Sequence, residues 1–461
     1  MAGLKTVVKA LFLLVVALVL AGFAVATLRT GPPPSVEILT EAKAIGPQTA
    51  IVARVSAAGR GLAGLRIEVE QAGRVRVVAR KAHRPLAPWR LFGEHLRHDE
   101  IRAEVGHQAL QDLAEGEATV RVVAERATTW LLKPGPVMRE LRLPVRLTPP
   151  ALSVLSSRHY VTQGGSGVVV YRVGATAVHD YVRAGGWRFP GSALAGGGAF
   201  DRAALFGVPW DLADAAGLRI VAEDDAGNAS SVAFVDSFEK RPAARDRIAL
   251  DDAFLTKVVT EIRQQTPSLG ARGSLLDDYL KINRELRAAN ASDLVALAPR
   301  SAPGFLFSEP FLPLRHAKVM SAFADQRSYV YGRREVDRQT HLGYDLAAVA
   351  RTPVPAANRG VVVLARYFGI YGNTVVVDHG LGLMTLSSHL SSIEVKEGQT
   401  LERGERLGRT GATGLAGGDH LHFTTLVRGL PVNPVEWWDG KWIRERVTAK
   451  LTGDSAQAQS P

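Results

Sequence analysis

His341-Leu342-Gly343-Tyr344-Asp345 and Gly417-Gly418-Asp419-His420-Leu421-His422-Phe423 are the stretches on which the reading of this chain turns. Along an extended strand, side chains alternate between faces. His420 and His422 therefore point one way, into a cleft, while Leu421 and Phe423 point to a core. Gly417 and Gly418 mark a turn ahead of that strand. Gly343 argues against a helix, so His341 and Asp345 are expected on a loop entering a strand, followed by apolar Leu346-Ala347-Ala348-Val349. His389 lies between the two motifs in Ser387-Ser388-His389-Leu390, so four of the 12 histidines fall in three short motifs. Imidazole and carboxylate are the donors a catalytic zinc ion takes when one position stays open for water. Zinc held that way brings its water to a pKa of about 7 and polarises a carbonyl. A lone His-x-His in a strand is more often an ordinary surface or core pair, and the three motifs weigh more together than singly.

Further motifs run in order around these: Ser321-Ala322-Phe323, Thr352-Pro353-Val354-Pro355-Ala356, Gly360-Val361-Val362, Tyr371-Gly372-Asn373, Asp378-His379-Gly380, Gly408-Arg409-Thr410-Gly411 and Val432-Asn433-Pro434. With them, the chain from about Pro310 to Trp438 resembles the lysostaphin/LytM-type zinc metallopeptidases, which cut peptide bonds in bacterial cell-wall peptidoglycan. The resemblance implies that His341, Asp345 and His422 hold Zn²⁺. It also implies that His389 and His420 are a catalytic pair, one taking the proton of the attacking water and one stabilising the tetrahedral oxyanion. Histidine suits that work because its pKa lies near operating pH. Three positions depart from the family pattern: Ser387 replaces an aromatic Tyr, Gly418-Asp419 replaces Gly-Pro, and Arg351 replaces a Gly before Thr-Pro-Val. Some relatives have lost the ligands and serve as noncatalytic activators of other wall hydrolases; this chain retains all five residues. The readings that compete with a peptidoglycan endopeptidase are a non-cleaving wall-binding or hydrolase-activating scaffold, and an exported zinc protease acting on proteins.

Other residues near the motifs receive plainer readings. His379 reads as a strand-end residue shaping the cleft, His316 as surface, and Trp437 and Trp438 as a core lid. Tyr367, Phe368 and Tyr371 read either as the lining of a peptide groove or as ordinary packing.

Ala10 to Leu28 is an uncharged apolar run of 19 residues, preceded by Lys5 and Lys9 and followed by Arg29. Its length suits a membrane span with the N-terminus inside. Ala24-Val25-Ala26 also has the form of a signal-peptidase site, so residues 1–30 read as a signal anchor or a signal peptide. Either way the bulk of the chain is exported, membrane-anchored and periplasmic or, if cleaved, secreted. With no cysteine there is neither a disulfide nor a thiolate ligand.

The expected fold is mainly β and multidomain: an N-terminal transmembrane helix, two immunoglobulin-like β-sandwich modules (31–148 and 149–242), a helical linker (243–302), an antiparallel β metallopeptidase domain (303–445) and a disordered tail (446–461), plainest at Ser455–Pro461. Ile51–Val55, Leu65–Val69, Thr119–Val123 and Leu141–Leu147 show strand alternation, with Pro144 suiting an edge. Val168–Val173, Leu218–Ala222 and Ser231–Val235 form a second set, and the Val-Val-Ala-Glu and Ile-Val-Ala-Glu endings suggest a loose duplication. Phe254, Leu255, Val258, Val259 and Ile262 make one helical face. A second helix starts at Ser274 with Asp277 in a capping-box-like position. These helices are expected to pack on the catalytic domain or cover its groove.

The formal charge of +11 favours acidic targets, including the free carboxylates of peptidoglycan stem peptides. The expected partners are peptidoglycan, the inner membrane through the N-terminal helix, and cell-wall proteins. No nucleic-acid module is recognisable, and nucleic acid is not expected.

Overall fold

Ile51, Ala53 and Val55 are fully buried and alternate with more exposed neighbours along the strand Thr49–Ser56, the pattern of a sheet with one face on a core. The structure, a computed structural model, describes residues 2–90, 92–242, 244–270 and 273–452. The fold is mainly β, with an apolar helix, Ala2–Leu28, at the N-terminus. At about 1.5 Å per residue this helix is long enough to cross a bilayer, and Gly3–Leu28 qualifies by length and composition. The chain divides into two compact units, Met1–Pro150 with Thr176–Val178 and Glu223–Ser230, and Ala151–Ala175 with His179–Ala222 and Ser231–Pro461.

In the first unit, one sheet orders Ser35–Ile38, Thr49–Ser56 and His98–Val105. A second orders Arg74–Ala82, Leu62–Gln71, Gly116–Arg126 and Val137–Val145. The two share a core that includes Ile51, Leu65, Ile67, Val69, Ile101 and Val120. Pro144 sits in the edge strand, where its missing N–H costs no ladder bond.

Further along the chain, two four-stranded sheets follow, one containing Ser166–Val173 and the other Leu218–Asp224. The strand expected at Ser231–Val235 runs from Ala229 to Val232 instead. The chain then leaves the sheet to bury Phe234 edge-on against His159 and Phe206, at ring separations of 5.3 and 5.2 Å.

Residues 243–302 are not a purely helical linker. Arg245–Leu250 is a strand that pairs in parallel with Asp325–Tyr331, in a three-stranded sheet completed by Arg334–His341. Charges at Arg245, Asp246 and Arg247 hide its alternation, because both faces carry polar residues. The helix Asp252–Gln265 buries Leu255, Val258, Val259 and Ile262. Ser274 caps the helix Leu275–Lys281 by accepting the Asp277 N–H. The tail reading also needs correcting at its start: helical turns continue through Thr452 and bury Val447 and Lys450. Residues 453–461 lie outside the described residues.

An eight-stranded antiparallel sheet organises the C-terminal domain, with Tyr344–Ala347, Leu421–Val427, Leu383–Leu390, Asn373–Asp378 and Gly360–Tyr367 as successive neighbours. Beyond it, Pro434–Trp438 docks onto Ser166–Val173. Trp437 is fully buried and donates Nε1–H to Ser166 Oγ at 3.1 Å. Glu436 accepts the Ser166 N–H and O–H at 2.8 and 2.9 Å.

Burial pushes the Glu436 carboxyl up to about 7, against the Ser166 hydrogen bonds that favour its charged form. The folded state therefore holds this proton above the group's ordinary value of 4.5. Stability attached to it is lost as pH rises from about 4.5 to about 7. Glu436→Gln is expected to flatten that slope and to raise stability at pH 8 by about 1–3 kcal/mol relative to wild type. Thermal melts at pH 5 and pH 8 check this, and an unchanged slope would sink it.

Candidate functional site

Cross-strand register brings the first three residues together. Asp345 pairs with His422 across the strands Tyr344–Ala347 and Leu421–Val427, and His422 pairs with Ser388, the neighbour of His389. His341 is the last residue of the strand Arg334–His341, and Asp345 the second of the next strand. Both therefore lie in strands joined by the Leu342-Gly343 turn, rather than on one loop. Gly343 is required there: an added Cβ would stand 2.6 Å from both His422 Nε2 and Thr424 Oγ1. Leu421 and Phe423 are buried, and His420 and His422 line the cleft.

Hydrogen bonding assigns the tautomers. His341 Nδ1 faces the Ala322 carbonyl at 3.0 Å, which only accepts, so Nδ1 carries the proton and Nε2 is a lone pair. Thr424 Oγ1 donates to Leu342 O and must accept from His422 Nε2, each at 3.0 Å, which leaves His422 Nδ1 as a lone pair. Those two nitrogens and Asp345 Oδ1 lie 2.9–3.0 Å from one another. Three buried acceptors at that spacing, with the imidazole protons turned outward, repel unless a cation lies between them. Tetrahedral zinc with ligand bonds of about 2.0–2.1 Å separates its donors by about 3.3 Å, so this donor set fits the ion.

The sheet places His389 and His420 beside this cluster. The His389 ring lies 4.9 Å from His420 and 5.8 Å from His422. His389 Nδ1 bonds Thr413 O and His420 Nδ1 bonds Gly418 O, both at 2.8 Å, which leaves each Nε2 for the cleft. Burial holds His389 well below the usual histidine range. At His420 burial acts the same way, but the Asp345 carboxylate outweighs it and raises the group. His389 also has φ of 60°, a left-handed conformation that is strained for a residue with a side chain.

Two of the three departures from the family pattern meet in space. Arg351, where a Gly is common, has φ of 60°, which explains the glycine preference. Its N–H donates to Asp419 Oδ2 at 3.2 Å, a bond that a proline at 419 has no side-chain oxygen to accept. His379 departs from its reading as a cleft residue. It is buried, bonded to Arg359 O and Thr385 Oγ1, and packed edge-on against Phe311 at 4.8 Å. His316 is exposed, as read. Tyr371 lines the cleft, whereas Tyr367 bonds Glu261.

Sequence reasoning missed Arg327, whose Nη2 donates to Asp345 Oδ2 at 2.6 Å and so leaves Oδ1 for the cluster. Nothing in the local sequence pairs these residues. The cleft, about 370 Å³, is also walled by Ile248, Phe254, Tyr279 and Arg287 from the segment that precedes the domain. Lys257 donates to Ala416 O at 3.0 Å, Glu261 accepts from Gly414 N at 2.7 Å, and Asn290 accepts from Ile370 N at 3.0 Å. These helices therefore line the groove as well as packing on the domain.

Residues 339–434 match the model of Peptidase family M23. This segment is an M23 peptidase domain. Part of the chain is similar to peptidoglycan DD-endopeptidase ShyA of Vibrio cholerae, 47% identical over 119 residues, 26% of this chain and 27% of that protein. Part is similar to DD-carboxypeptidase/endopeptidase Mpg of Neisseria meningitidis, 43% identical over 95 residues, 21% of this chain and 22% of that protein. The chain thus spans about a quarter of the length of the curated relatives it matches. Among solved structures it is similar to a zinc containing peptidase from Vibrio cholerae, at 16% identity and a TM-score of 0.25, covering 69% of this chain and 56% of that one. The cluster His341, Asp345 and His422 lies within the M23 domain, as do His389 and His420.

Proposed function

We propose that this protein is a zinc-dependent endopeptidase that cleaves peptide cross-links or stem peptides of bacterial peptidoglycan. The observation that carries the reading is the convergence of three buried lone pairs, on His341, Asp345 and His422, beside a second histidine pair inside an M23 domain. Relatives named as peptidoglycan DD-endopeptidases support the substrate class. Bound zinc would supply an acidified water and a Lewis acid for the scissile carbonyl. His389 and His420, with Nε2 toward the cleft, would take the proton of the attacking water, stabilise the developing oxyanion and return a proton to the departing amine. Burial favours the neutral form of His389, and the bond of Nδ1 to Thr413 O leaves its Nε2 as the lone pair facing the cleft.

The apolar helix is read as a membrane anchor that holds the rest of the chain in the periplasm. Arg29 Nη1 donates to Arg90 O, and Thr129 Oγ1 to Thr27 O, so two loops sit at the helix end. They carry exposed Trp89, Trp130 and Leu131, residues suited to a membrane–water boundary. Residues 31–148 and 149–242 are read as immunoglobulin-like modules that space the enzyme from the membrane and contact the wall or partner proteins.

The test is turnover of purified peptidoglycan by the zinc-loaded full chain in detergent, beside His420→Ala, with products read by mass spectrometry. Cross-linked dimers should disappear with wild type, while the variant should be slower by about 10²–10⁴-fold. A zinc-loaded wild type that cleaves nothing would count for a docking role instead.

A further inference from the structure

A second cavity, of about 670 Å³, opens beside the metal cleft. Arg245, Arg284, Arg287, Arg327 and Arg338 line it, and no carboxylate does so among the described residues. Three of the five guanidiniums have carboxylate partners: Arg284 with Asp337 at 2.9 Å, Arg327 with Asp345 at 2.6 Å, and Arg338 with Glu335. Arg245 and Arg287 have none among the described residues. Arg287 is held by its own helix instead, through Asn283 O at 3.1 Å and Asn283 Oδ1 at 2.6 Å. Arg327 keeps a buried Nε without a hydrogen-bond partner. Five cations against three partner carboxylates leave two positive charges in one concavity, a site that favours an anionic ligand.

Arg287 and Arg327 line both this cavity and the metal cleft, so the two spaces share a wall. A peptide held at the cleft extends about 3.3–3.6 Å per residue, which puts groups a few residues from the scissile bond within reach of the arginines. Gln339 and Thr340 on the same wall offer hydrogen bonds to peptide amides, and Trp210 offers an apolar face. We propose that this cavity is a carboxylate-binding subsite, taking free carboxylates of the peptide strand adjacent to the bond being cut; the proposal rests on the endopeptidase reading above. It selects wall peptides whose carboxylates are free over those whose carboxylates are amidated. Arg245 and Arg287 are the recognising cations, and Arg327 links the subsite to the metal ligand Asp345.

The test compares purified cross-linked muropeptide dimers with the same dimers converted to methylamides, using the zinc-loaded full chain in detergent. Amidation is expected to raise KM about tenfold with little change in kcat, the effect of removing one charge-assisted hydrogen-bonded pair. Arg245→Gln, at an exposed position, and Arg287→Gln should each reduce that discrimination, and together bring it near unity. Arg287→Lys should restore part of it. Equal KM for free and amidated dimers with wild type overturns the subsite and leaves the endopeptidase reading intact. If wild type cleaves neither dimer, the endopeptidase reading falls. Calorimetric titration into zinc-loaded His420→Ala then decides the subsite alone, where tighter binding of free dimers supports it and equal binding overturns it. Competition by inorganic phosphate together with indifference to amidation would assign the cavity to phosphate and overturn the proposal.

Discussion

Asp345→Asn is expected to abolish the zinc-dependent thermal shift and to lower peptidoglycan cleavage by at least about 10³-fold. The carboxylate supplies the only anionic donor in the His341, Asp345 and His422 cluster, and an amide oxygen is a poor substitute for it. A ligand that binds only the folded state adds about 2.7 kcal/mol at a hundred times its Kd, so zinc should raise the wild-type midpoint measurably. The variant should show no such rise while melting cooperatively, which separates metal loss from unfolding. The side chain also anchors Arg327 through Oδ2, and Asn keeps an oxygen for that contact where Ala would strand a guanidinium. A variant that retains stoichiometric zinc would remove Asp345 from the ligand set.

Trp437→Ala should cost about 3–5 kcal/mol and lower the melting temperature by roughly 10 °C. The side chain is fully buried, and its ring lies 5.9, 5.6 and 5.3 Å from Phe307, Phe311 and Trp442. Truncation therefore opens a large cavity and also removes the donor to Ser166 Oγ. Trp437→Phe separates the two parts, because it keeps most of the ring contact and should cost about 1 kcal/mol more than packing alone for the lost hydrogen bond. Calorimetric melts of the two variants check the order. An unchanged midpoint for Trp437→Ala would mean that this contact contributes little to stability.

That His341, Asp345, His389, His420 and His422 would gather was legible because each sits in a short motif, whereas their separate roles were implied by the family resemblance alone. A period of two put Leu421 and Phe423 in the core and the histidines in the cleft, as the strand Leu421–Val427 does. The helices at Asp252–Gln265 and Leu275–Lys281 were equally plain, from an apolar face and a serine cap. The strand Arg245–Leu250 was not, because its charges hide the alternation and its partner, Asp325–Tyr331, lies far along the chain. His379 misled for a similar reason: its position at a strand end is visible, but its burial depends on Phe311 from a distant segment.

Local periodicity and donor chemistry were enough to single out the His341/Asp345 and His420/His422 motifs, the apolar helix and a mainly β architecture, since each depends on near neighbours, while the proposed ligand set followed from the family resemblance. Which nitrogen of each imidazole is free depends on Ala322, Leu342 and Thr424, brought close by sheet pairing. The same is true of Arg327 on Asp345, and of the arginines gathered from three separate segments into one cavity. Those contacts join residues far apart in the chain, and only the packed sheet and helices set their distances.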